Sequence, residues 1–85
     1  MSTPFPRPAG EDGAPSSLIF VIEDEPEVAR LVLATLKDFG FSCEGFQTGA
    51  SALRRMQTET PDLCIVDLGL PDMDGLDLLR RITSQ

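Results

Sequence analysis

Three acidic side chains carry the chemistry this chain could do: Glu23 and Asp24 in Val21-Ile22-Glu23-Asp24-Glu25-Pro26, and Asp67 in Leu63-Cys64-Ile65-Val66-Asp67. Each acid closes a short apolar, β-branched run, the pattern of a strand buried on both faces. In open α/β sheets ligands bind beyond the carboxyl ends of the strands, so acids at those ends are placed for binding or catalysis. A lone strand-end Asp would suggest only a turn residue. Three carboxylates brought together repel, and the cluster must either raise a pKa or hold a cation. Hard oxygen donors select a hard cation, Mg²⁺ first and Mn²⁺ as a substitute. Beside such an ion, Asp67 could attack a phosphoryl group and become an aspartyl phosphate.

These acids meet only if the intervening elements bring them together. Leu18 to Ile22 reads as a first strand. Pro26 suits a first helical turn, and Val28, Leu31, Val32, Leu36 and Phe39 follow at helical spacing up to Gly40. Phe41 to Phe46 alternates apolar and polar residues, as a sheet-edge strand does. Thr48 can cap a second helix with Ala52, Leu53 and Met56 facing inward, ending before Pro61. Leu63 to Asp67 forms the third strand. A third helix begins near Asp74, with Leu76, Leu79 and Ile82 on its apolar face and Leu78 flanking it. Alternating strands and helices call for a parallel sheet with helical crossovers. Strand order 2-1-3 sets the first and third strands side by side, so Glu23, Asp24 and Asp67 converge.

Eighty-five residues allow one small domain. Residues 1–17 hold four of the seven prolines and one large apolar residue, Phe5, the composition of a disordered leader; residues 18–85 are the folding part. Only Arg7 is basic there and no apolar run follows it, so no export signal or membrane span is expected and the chain reads as cytoplasmic. A net charge of −7 argues against nucleic-acid binding by this segment. Arg30, Lys37, Arg54, Arg55, Arg80 and Arg81 read as solvated helix faces. Cys43 and Cys64 lie in strand runs flanking the first strand, roughly 9.6 Å apart by twice the strand spacing, too far for a disulfide. With no His in the chain, a soft-metal site has no support. Glu25, Asp72, Asp74 and Asp77 read as loop and helix-start residues, Asp74 as a cap.

The acid pair, the strand ending at Asp67, and the run Leu68-Gly69-Leu70-Pro71 with Met73-Asp74-Gly75 closely resemble the receiver domain of bacterial two-component response regulators. The resemblance covers Leu18 to about Thr83. It implies a flavodoxin-like doubly wound α/β fold, of which this chain carries the N-terminal part. It implies that Asp67 accepts a phosphoryl group from a sensor histidine kinase. It also implies that Glu23 and Asp24 hold Mg²⁺ directly or through water, that the Gly69 carbonyl is a further ligand, and that Pro71 and Gly75 shape the loop. Glu23 stands where many members have Asp. Two further strands and helices, with a phosphoryl-sensing Ser or Thr, a Lys and an aromatic switch residue, follow in the family. The expectation is therefore a fragment of a longer regulator, or two copies completing each other's sheet through the third strand's open edge.

Three other classes are weighed against this reading. A haloacid-dehalogenase-like phosphatase needs an acid two residues after the nucleophile, where this chain has Gly69, so an enzyme is not expected. A non-phosphorylated module that keeps the receiver shape for interaction stays open. A dinucleotide-binding fold is disfavoured, because the first strand leads into acids instead of a Gly-rich loop.

Overall fold

A computed structural model of the chain describes residues 17–84. The elements run β1 (Leu18–Ile22), α1 (Pro26–Asp38), β2 (Ser42–Phe46), α2 (Gly49–Arg55), β3 (Leu63–Val66) and α3 (Gly75–Thr83). The strands form one parallel sheet in the order β2-β1-β3. β1 is central: Ile19, Phe20, Val21 and Ile22 are all 2% exposed or less. Its unbroken apolar run is what a strand covered on both faces requires. The leader expected over residues 1–17 lies outside the described residues apart from Ser17, whose carbonyl accepts the Ser42 amide at 3.1 Å and so already joins the sheet.

Alternation along the strands separates two layers. Ile22, Phe46 and Val66 face α2 and α3, where they pack with Ala52, Leu53, Met56, Leu70, Met73, Leu78 and Ile82. Phe20 adds its ring to that of Phe46, 4.8 Å between centroids. On the opposite face α1 lies over β1 and β2. There the Leu33 side chain fills the space above Gly45, where an added Cβ would come within 2.8 Å of it. The Cys43 thiol donates to the Leu33 carbonyl at 3.6 Å. Both cysteines are free and half-buried, and burial pushes the Cys64 thiol pKa up.

Two helical stripes differ from the sequence pattern. In α1, Val28, Leu31 and Phe39 are exposed, and Ala29, Val32, Leu33 and Leu36 are half-buried. The sheet touches only one side of the helix, so the outer half of its wide apolar stripe finds no cover among the described residues. In α3 the inward line is Gly75 and Leu78, both buried, and the half-buried Ile82, with Leu76 and Leu79 exposed. Leucines at 76, 78 and 79 fit more than one phase of a short helix, and packing against α2 selects Leu78. Arg55 also departs from a plain solvated face, because its guanidinium forks onto Glu44, Nε to Oε1 at 3.0 Å and Nη2 to Oε2 at 3.2 Å.

Chain reversals fix where the strands end. Past α1, Gly40 takes a φ of 92°, while its amide donates to the Lys37 carbonyl at 2.9 Å and that of Phe41 to Leu36 at 3.1 Å. This glycine-dependent C-terminal motif turns the chain back toward the sheet. Thr48 Oγ1 caps α2 by accepting from the Ser51 amide, and Asp74 Oδ1 caps α3 by accepting from Leu76.

Candidate functional site

The acids converge because hydrogen bonding continues one residue past the strands. The Glu23 amide donates to the Phe46 carbonyl and the Asp67 amide to the Ile22 carbonyl, both at 2.9 Å. Glu23, Asp24 and Asp67 thus leave the sheet side by side, half-buried, each offering a carboxylate oxygen within 4.8 Å of the others.

Two of the three are braced by the backbone that follows them. Glu23 Oε1 accepts the Glu25 amide at 3.2 Å, and Asp67 Oδ1 accepts the Gly69 amide at 3.0 Å. The consequences for charge differ. The Gly69 N–H lowers the Asp67 pKa and keeps that carboxylate ionised. Loss of water raises the Glu23 pKa, and the charges of Asp67 and Asp24 push it the same way against the opposing Glu25 N–H. Among the described residues the ion pairs are Arg55 with Glu44 and Arg80 with Asp77, and neither of these two cations pairs with the trio. A concentrated set of hard oxygen donors without a basic partner fits a small divalent cation such as Mg²⁺. Glu23 and Asp67 keep lone pairs to spare after their backbone bonds.

The loop after Asp67 is tied down at several points. Leu70 is buried, Gly75 donates its amide to the Leu68 carbonyl at 3.3 Å, and Gly75 approaches Leu68 too closely to allow a side chain. Of the residues singled out in the sequence, Glu23, Asp24 and Asp67 come together, with Gly69 contributing its amide. Glu25 instead sits at the N-cap of α1 with no side-chain cap bond, and Asp77 pairs with Arg80. Sequence reasoning placed Asp72 as an ordinary loop acid. It is a tie between elements: Oδ1 accepts the Gly49 amide and Oδ2 the Ala50 amide, both at 2.9 Å. Nothing in the local spacing could reveal a partner 22 or 23 residues away.

A three-stranded parallel sheet flanked by helices, with an acidic trio at the ends of two adjoining strands, defines an α/β domain whose working edge is acidic. Residues 19–85 match the response regulator receiver domain family, and the chain belongs to that family. It is 43% identical over 67 residues to the regulatory protein VanRc of Enterococcus gallinarum, covering 79% of this chain and 29% of that protein. To the transcriptional regulatory protein KdpE of Mycobacterium tuberculosis it is 44% identical over 63 residues, 74% of this chain and 28% of that one. The solved CheY-like response regulator receiver domain of Methylobacillus flagellatus superposes with a TM-score of 0.78 at 29% identity, covering 81% of this chain and 58% of that domain. The fold is thus the flavodoxin-like one of receiver domains. The chain spans under a third of the length of VanRc and of KdpE.

Proposed function

We propose that this chain is the phosphoacceptor part of a two-component response regulator, taking a phosphoryl group on Asp67 from the phosphohistidine of a sensor kinase. The convergence of Glu23, Asp24 and Asp67 within 4.8 Å is the observation that carries the reading. Glu23, Asp24, Asp67 and the Gly69 carbonyl would hold Mg²⁺, or Mn²⁺ in its place, and the ion would supply neutralisation of charge on the transferring oxygens. The Gly69 N–H engages Asp67 Oδ1 and lowers the pKa, so the carboxylate stays ionised and Oδ2 is the attacking atom. An O–P bond to Oδ2 forms as the P–N bond to imidazole breaks, the electron pair staying on nitrogen, which takes up a proton.

The position two residues after Asp67, occupied by an acid in haloacid-dehalogenase-like phosphatases, is Gly69 and contributes an amide. That supports a signalling module over a phosphatase. The short span relative to its relatives supports a place within a longer cytoplasmic regulator, with any nucleic-acid binding in another segment. Among the described residues no helix is long and apolar enough to cross a membrane.

Incubation with a small radiolabelled acyl phosphate and Mg²⁺ tests this reading. The expected result is a hydroxylamine-labile label on the wild-type chain that Asp67→Asn lacks. An unlabelled wild-type chain would overturn it in favour of an interaction module that does not use the acids, and undiminished label on Asp67→Asn would overturn it by placing the phosphoryl group on another residue.

A further inference from the structure

We infer that Asp72 is a positioning residue for the phosphoacceptor loop: its carboxylate fixes Gly69, and through Gly69 the Asp67 carboxylate, by anchoring the loop to the start of α2. The inference rests on the phosphoacceptor reading of Asp67 for its functional meaning, but the anchoring stands on geometry alone.

Helix α2 is only seven residues long and opens Gly49-Ala50-Ser51, a weak start that leaves its first amides in need of acceptors. The partners of those amides can be followed one by one. Gly49 donates to Asp72 Oδ1 and Ala50 to Asp72 Oδ2, each at 2.9 Å; Ser51 donates to Thr48 Oγ1 at 3.2 Å; Ala52 donates to the Thr48 carbonyl at 3.4 Å. Half of this set is local. The other half comes from the loop that follows Asp67, and both oxygens of one carboxylate are used, so Asp72 is committed to the backbone and not to a cation.

A second contact joins the same two segments. The Met73 side chain lies so close over Gly49 that an added Cβ would meet its Sδ at 2.6 Å and its Cγ at 2.8 Å. Gly49 is therefore shaped to the loop, and the loop to α2. At its base the loop is closed by the Gly75 amide on the Leu68 carbonyl, and in its middle Leu70 is buried. Asp72, three residues beyond Gly69, supplies the lateral anchor. With that anchor removed, Gly69 gains freedom and the Asp67 carboxylate loses its fixed N–H donor.

Amide hydrogen exchange of the 85-residue chain, followed residue by residue by NMR, tests this against a purely local capping role. The variants are Asp72→Ala, Asp72→Asn and, as a control, Thr48→Ala, which removes the local cap alone. Expected is faster exchange at Gly69 in Asp72→Ala, by about tenfold through a more frequent local opening, with β1 and β2 amides unchanged. Asp72→Asn, which keeps one acceptor oxygen, should fall between. Thr48→Ala should speed exchange at Ser51 and leave Gly69 at the wild-type rate. Equal acceleration at Gly69 in Thr48→Ala, or none in Asp72→Ala, would overturn the inference.

The same variants are then titrated with Mg²⁺ and labelled with the acyl phosphate. Asp72→Ala should bind the ion and take up label several-fold less well than wild type, Thr48→Ala equally well. Wild-type behaviour of Asp72→Ala in these assays would overturn the functional half. A wild-type chain that neither binds Mg²⁺ nor takes label would instead refute the phosphoacceptor reading, while the exchange result still decides the anchoring.

Discussion

A methyl group added at Gly75 would lie 2.6 Å from the Leu68 Cα and 3.0 Å from the Asp67 carbonyl oxygen, both backbone atoms. Neither can swing aside. At Gly49 the first obstacle is the Met73 thioether, which has three rotatable bonds and adapts. Gly75→Ala should therefore destabilise by about 1–3 kcal/mol, the usual range for overpacking, and Gly49→Ala by less. Chemical denaturation of the two variants checks the order, and an equal or larger loss at Gly49 would contradict it. Asp72 gives a pH signature. Its pKa is lowered in the fold by the Gly49 amide and then that of Ala50, so it contributes stability above the unfolded value of 3.8. That contribution is lost as pH falls through the lower folded pKa. Asp72→Asn should thus be less stable than wild type at neutral pH and show a smaller loss between pH 5 and the acid limit, read from thermal midpoints across pH. At this scale Glu23, Asp24 and Asp67 were legible in the sequence because the pair Glu23-Asp24 ends one apolar run and Asp67 ends another. Asp72 was not, because its partners are amides of a distant helix and amides carry no sequence signature.

Helices show where periodicity alone falls short. The apolar stripe of α1 covers Val28, Leu31, Val32, Leu36 and Phe39, yet Leu31 is 68% exposed and Phe39 67%. The sheet side of the helix is set by Leu33 over Gly45, a fit between a large residue and an absent one that hydropathy does not weigh. Leu31→Lys should therefore change stability by no more than about 0.5 kcal/mol in this chain. Leu33→Ala removes the side chain that fills the Gly45 space and should cost about 2 kcal/mol, the low end for a leucine that is only half-buried. Urea unfolding of both checks the contrast; a larger loss for Leu31→Lys would mean that the outer stripe is covered in solution. The strands were read more surely than the helices. A continuous apolar run fixes a buried strand in any phase, and a turn signal then fixes its end. A short helix such as α3, with leucines at 76, 78 and 79, leaves the phase to its neighbour α2.

On the scale of the whole molecule, the sheet formed by the described residues is closed on neither side, and β3 is the consequential edge. Its Leu63 and Ile65, on the α1 face, are 41% and 38% exposed, since α1 covers β1 and β2. An apolar edge strand is a template for further pairing. The strand order 2-1-3 expected from the sequence is the one observed, and this exposed edge follows from it. We therefore expect the 85-residue polypeptide to self-associate through β3. A two-fold relation between copies makes that pairing antiparallel. Centred between Cys64 and Ile65, it sets Asp62 of one copy opposite Asp67 of the other, and like charges facing each other weaken the pair. The association should consequently be weak and concentration-dependent. Ile65→Lys should abolish it by placing a charge on the edge. Asp62→Asn should strengthen it by removing one of the facing charges, while the amide oxygen can still accept the Leu18 N–H that Asp62 now holds at 2.7 Å. Light scattering over a concentration series distinguishes the outcomes. A folded, monodisperse wild-type monomer, or association that Ile65→Lys leaves unchanged, would show that the β3 edge does not join copies of this chain.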